Sequence, residues 1–268
     1  MRPTISRPRT KLALIAVPLV ALLALGLPAL GVPLLPSVAG SGPGDTSPDG
    51  ELHPVGGDGS LPTRAPKLRA PDAPLSVAER GYAIHVAQQS MPADAEDVLG
   101  NPGGEVLTAD LPPIEDRGAG RRATVSLYDY SSDRLHQALV DLAAGSVVRD
   151  RDVRGLQLPP SIAEATIATQ LALAADPPPA FLEQYRNLTG APLVAAEQVQ
   201  VVAGAWRPLN DGAAAAGPTK VCGADRCLQL LLALPSGQYL NTTDFAVDLS
   251  SRTVLPVGPA DLEHHHDD

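Results

Sequence analysis

The chain has 268 residues, with 30 acidic side chains against 20 basic ones and a net charge of −10 at neutral pH. That balance excludes a surface built to neutralise phosphates, so nucleic acid is not an expected partner. Apolar residues make up 44% of the chain but aromatic ones only 3%, so any core must be built from Leu, Val, Ile and Ala.

The N-terminus carries Arg2, Arg7, Arg9 and Lys11 without an acid, then an uncharged apolar run from Leu12 to Leu35, then the small residues Ser37-Val38-Ala39. A basic start, apolar middle and small-residue exit describe a secretory signal peptide over residues 1–39. The alternative is an uncleaved membrane anchor over residues 12–35, because the run exceeds the roughly 18–20 residues that span a bilayer. Pro18, Pro28, Pro33 and Pro36 interrupt a helix there and favour cleavage after Ala39. Either outcome leaves the rest of the chain extracytoplasmic, secreted or held at the membrane by its N-terminus. Residues 40–74, dominated by Gly, Pro, Ser and Asp, are expected to be a disordered linker.

Folded structure is expected from Leu75 onward. Ser76 and Glu79 have the spacing of a capping box, opening a helix to about Gln89 with Val77, Ile84 and Ala87 along its apolar stripe. Residues 91–104 read as loop and Val106–Leu111 as a strand ended by Pro112-Pro113. Ala123–Tyr130 alternates, with Val125 and Leu127 on one face and Thr124, Ser126, Tyr128 and Tyr130 on the other. Strands at Leu135–Leu142 and Ser146–Arg149 follow, turned at Gly145.

The plan then repeats. Ser161 and Glu164 form a second capping box, opening a helix to about Ala175 with Ile162, Ala165, Thr169 and Ala172 on its stripe. Pro177-Pro178-Pro179 break it, and a further helix runs from Ala180 to about Leu188, with Gly190 as its C-terminal cap. Strands are expected at 198–203, 226–234, 244–249 and 253–255. Val140-Asp141-Leu142 and Val247-Asp248-Leu249 stand at the same place in the two copies. The fold class is therefore α+β: two tandem small domains, residues 75–157 and 158–257, each a helix on an antiparallel meander, followed by an acidic, His-containing tail at 258–268.

The stretch Val125-Ser126-Leu127-Tyr128-Asp129-Tyr130, with Val140-Asp141-Leu142 and Gly145-Ser146-Val147-Val148, resembles the first of the two small cystatin-like N-terminal domains (N2) of copper amine oxidases. The second unit, ending Ala246-Val247-Asp248-Leu249, resembles the next (N3). The resemblance implies a scaffold rather than an enzyme. The family's cofactor tyrosine follows an asparagine, and Tyr128, Tyr130, Tyr185 and Tyr239 do not. No catalytic residue and no cofactor carries over.

The other candidates favour structure over chemistry. Cys222 and Cys227 are the only cysteines and are expected to form a disulfide, as suits an oxidising compartment. Asp141 and Asp248 precede hairpin turns, where Asp accepts backbone N–H bonds, while Asp129 has no assigned role. Ser76, Glu79, Ser161 and Glu164 are spent on caps. His264, His265 and His266 form a metal-competent tail, but a chain terminus lacks preorganisation, so no metal site is assigned. His85 and His136 are read as solvent-facing. The expected function is a non-catalytic interaction or scaffold protein whose partner is an extracytoplasmic protein or envelope component. The alternative is an accessory partner of a copper amine oxidase, acting in trans.

Overall fold

The computed structural model describes residues 60–118, 120–208 and 217–258. All of them fall in one compact unit. The expected signal segment, the first part of the expected linker and the His264–His266 tail lie outside the described residues.

Two antiparallel sheets carry the fold, each a meander with next-neighbour connections. The first is β1 (Glu105–Asp110), β2 (Arg122–Asp129), β3 (Arg134–Asp141) and β4 (Ser146–Val153); the second is β5 (Gln200–Ala205), β6 (Cys227–Ala233), β7 (Phe245–Asp248) and β8 (Thr253–Pro256). The helix α1 (Val77–Gln88) lies on the first sheet, the single turn α2 (Ile114–Arg117) follows β1, and α3 (Ile162–Leu173) lies on the second sheet. After the triple proline, α4 (Ala180–Thr189) adds Phe181, which stacks on Phe245 at 5.5 Å between ring centroids.

Alternation explains both cores. Val125 and Leu127 of β2 and Ala138 and Val140 of β3 share one face, and Ala83, Ile84 and Ala87 of α1 close over it. In the second unit Leu228, Leu230 and Leu232 of β6 meet Ile167, Ala168 and Ala172 of α3.

Several expectations are corrected. Val77 and Ile162, read as core, are exposed. Each is the first residue of its helix, and the buried stripe begins two residues later, with the glutamate: Glu79, Ala83, Val86 and Ala87 in α1; Glu164, Ile167, Ala168 and Ala172 in α3. The strand expected to stop at Arg149 continues to Val153, because β3 offers partners as far as Leu135. Ser126 and Tyr128, on the face of β2 opposite Val125 and Leu127, are buried as well. His136, read as solvent-facing, is only 4% exposed and lies on the same face of β3 as Ala138 and Val140. The last residues of the expected disordered linker are also held. Residues 61–70 form no helix or strand, yet Leu61 and Leu68 pack against the first core, and Arg69 N–H donates to Glu79 Oε1 at 2.9 Å.

Candidate functional site

Both capping boxes form, and each is one part of a larger device. Ser76 Oγ accepts from Glu79 N–H at 3.2 Å, while Glu79 Oε2 accepts from Ser76 N–H at 2.8 Å. The same exchange joins Ser161 and Glu164 at 3.0 and 2.8 Å. Neither carboxylate faces water. Arg121 donates from Nε and Nη2 to the two oxygens of Glu79 at 2.9 and 3.0 Å, and Arg226 does the same to Glu164 at 2.9 and 2.8 Å. All four side chains are almost fully buried.

The remaining guanidinium donors reach backwards along the chain. Arg121 donates to the carbonyls of Ala70, Pro71, Ala73 and Pro74, and Arg226 to Leu158 O and Gln157 Oε1. Each arginine thereby fixes the segment that leads into its helix. The opposite end is fastened too: Leu142 N–H donates to Arg121 O, and Leu249 N–H to Arg226 O. Bidentate charge-assisted bonds with every guanidinium nitrogen engaged are the arrangement in which a buried ion pair is tolerated. Burial would raise the Glu79 pKa, but the Arg121 guanidinium, with donors from Arg69 and Ser76, holds it at about 2.

The second of these clusters is continuous with the first sheet. Tyr130 donates its hydroxyl to Glu164 Oε1 at 2.6 Å. The Arg226 guanidinium carbon stands 5.4 Å from the Tyr128 ring centroid, within cation–π range, and the Tyr128 and Tyr130 rings meet edge to face at 4.9 Å. Asp133 accepts from Tyr128 Oη at 3.3 Å and from Ser250 Oγ at 2.5 Å, and Ser250 Oγ in turn accepts from Arg226 N–H at 2.9 Å. Arg252 Nη1 donates to Val98 O at 3.0 Å. Burial, reinforced by the Asp133 charge, pushes the Tyr128 phenol up; burial and the Glu164 charge do the same to Tyr130. Burial also raises Glu105, assisted by the Glu164 charge against the Ser161 hydroxyl bond.

The two tyrosines therefore remain donors and Glu164 an acceptor, which holds the two sheets to one another. The junction thus joins carboxylates, phenols and a guanidinium that already satisfy one another, an arrangement suited to rigidity.

The aspartates sit where hairpins turn. Asp141 Oδ1 accepts from Ala143 and Ala144 N–H, both at 3.0 Å, and Asp248 Oδ1 from Ser250 and Ser251 N–H at 2.9 and 3.2 Å. Asp129 does the same at the β2–β3 turn, accepting from Ser131 N–H and Ser132 Oγ, and it also takes Glu96 N–H at 3.1 Å. These bonds outweigh burial and hold its pKa low. Cys222 and Cys227 form a disulfide across the loop before β6, consistent with an extracytoplasmic location. Among the described residues no helix is long and apolar enough to cross a membrane.

The sequence reading missed Arg121, Arg226, Tyr130 and Glu105. A signal existed for the arginines: each abuts a strand whose apolar residues are buried, a place where a charge needs a partner.

No protein-family model matches the chain, and no curated protein matches it. Among solved structures, a copper-containing benzylamine oxidase from Hansenula polymorpha is similar, with a TM-score of 0.40 and 15% sequence identity over 70% of this chain. The chain spans 30% of the length of that protein.

Proposed function

We propose that this protein is a secreted or membrane-tethered, non-catalytic interaction module that binds an extended segment of an extracytoplasmic partner along the edge of its second sheet. The observation that carries this reading is the contrast among the four edge strands. β1 is irregular between Val106 and Thr108 and bears Glu105 and Asp110. β4 carries the run Arg149-Asp150-Arg151-Asp152, and β8 is four residues long and ends at Pro256. Irregularity, charge, shortness and proline are the usual means of keeping an edge from pairing.

β5 has none of them. Its sequence, Gln200-Val201-Val202-Ala203-Gly204-Ala205, has no charge and no proline, it pairs with β6 without a register shift, and among the described residues it has no second neighbour. Val202, 62% exposed, stands opposite Leu231, 45% exposed, so the rim also offers an apolar step for alternate side chains of an added strand. The export-type N-terminus and the disulfide support the extracytoplasmic setting.

The test compares the full chain with Val202→Lys in pull-downs from a native envelope fraction, alongside peroxide release from primary amines. The expected result is a partner retained by the parent chain and lost by the variant, with no peroxide from either. Equal retention by both, or amine oxidation, would refute the reading. If the retained partner carries an Asn-Tyr-Asp/Glu motif and a His-x-His pair, the accessory role in amine oxidation is favoured over a general scaffold.

A further inference from the structure

One cluster outside the junction brings metal-ligating groups together. His136 on β3 and Asp150 and Asp152 on β4 each offer a ligand atom, and these atoms all lie within 4.8 Å of one another. The strand register explains how. His136 is paired with Asp152 and Ala138 with Asp150, so the two carboxylates, two residues apart on one strand, flank the imidazole on a single face.

An irregularity in the ladder makes this possible. Val140 is paired with Val147, but the next pair is Leu139 with Arg149, so Val148 is skipped. Had the register run on without the bulge, Arg149 would stand opposite Ala138 and Arg151 opposite His136. The bulge therefore replaces two guanidinium groups by two carboxylates beside the imidazole, and turns Arg149 and Arg151 to the opposite face. There Arg149 pairs with Asp116. Among the described residues no Lys or Arg pairs with Asp150 or Asp152.

The imidazole is buried. It is 4% exposed, its Nδ1 lies 2.6 Å from Asp152 Oδ1, and its Nε2 is buried with no hydrogen-bond partner. Asp150 is exposed and the Asp152 side chain is 47% exposed, so the cluster opens to solvent on one side. Its groups comprise a buried imidazole, two carboxylates without a Lys or Arg partner among the described residues, and an open approach.

We propose that His136, Asp150 and Asp152 bind a divalent transition cation of the zinc or cobalt class, through one imidazole nitrogen and two carboxylate oxygens. One nitrogen and two oxygens suit borderline cations that accept imidazole, and two carboxylates balance the double charge. The cation takes the place of the proton between His136 and Asp152, and the coordination positions facing solvent remain for water or a partner's side chain.

The test is titration of the full chain with Zn²⁺ by calorimetry and with Co²⁺ by visible absorption, after His264→Ala, His265→Ala and His266→Ala remove the competing tail. The expected result is one cation per chain, with visible Co²⁺ bands. Asp150→Asn and Asp152→Asn, both at solvent-accessible positions, should each weaken binding about tenfold or more, since loss of even an outer partner of a metal ligand costs 10–100-fold. The control Asp94→Asn, at an exposed loop position, should leave it unchanged. Absence of one-to-one binding in the tail-substituted chain, or binding that both Asp variants leave intact, would overturn the proposal.

Discussion

Arg121→Met tests the account of the first buried ion pair most directly. The substitution keeps most of the side-chain volume but strips Glu79 of its cation, and the carbonyls of Ala70, Pro71, Ala73 and Pro74 of their shared donor. Breaking one side of a buried pair costs about 3–5 kcal/mol, against a total domain stability of about 5–15 kcal/mol. An independent route gives a similar size. The lowering of Glu79 from 4.5 to about 2 corresponds to about 3 kcal/mol at neutral pH. Because the folded pKa is depressed, this contribution is complete above pH 4.5 and is lost as the pH falls toward 2. Urea denaturation followed by far-ultraviolet circular dichroism, at pH 7 and at steps down to pH 3, should show Arg121→Met less stable by several kcal/mol at pH 7. The difference from the parent chain should narrow as the pH falls. The exposed pair Arg149–Asp116 supplies the contrast, with Arg149→Met expected to cost about 0–1 kcal/mol. A loss below 1 kcal/mol for Arg121→Met, or a difference that does not change with pH, would refute the reasoning.

Three further predictions concern the hairpin and the junction. Gly145 has φ +63°, and an added Cβ would overlap the Tyr82 hydroxyl, so Gly145→Ala should cost about 2 kcal/mol or more by thermal or urea denaturation, partly regained in the double variant with Tyr82→Phe. Tyr130→Phe removes the O–H bond to Glu164 and should cost about 1.5–3 kcal/mol, a change below 0.5 kcal/mol counting against the junction. Since the Tyr128 and Tyr130 phenols are raised above 10, they should stay un-ionised in absorbance titrations while the fold persists, and stability should fall as the pH rises past 10.

The order of elements was legible because caps, prolines and alternation are local signals. Ser76 with Glu79 and Ser161 with Glu164 announced both helices, and Val125 and Leu127 announced β2. What the sequence could not display was the partner of each cap. Glu79 meets Arg121 across 42 residues and Glu164 meets Arg226 across 62, and no local pattern links such positions. The same blindness misplaced Val77 and Ile162. An apolar residue after a cap reads as core unless the glutamate two positions on is known to be buried. His136 was misread because its face depends on the β3 register, and the carboxylates beside it depend on a bulge that leaves no mark in composition.

The paired arginines also bear on how this chain can change over generations. A buried Glu–Arg pair cannot be exchanged one residue at a time, since the first step leaves a lone charge in the interior at a cost of several kcal/mol. The hairpin between β7 and β8 had more freedom: Arg252 holds φ +57° where the first copy has Gly145, and its side chain has found Val98 O. Drift is thus blocked at the clamps and open at the turns. Two copies of one unit can diverge over most of their length and still share the residues at which a single step costs most.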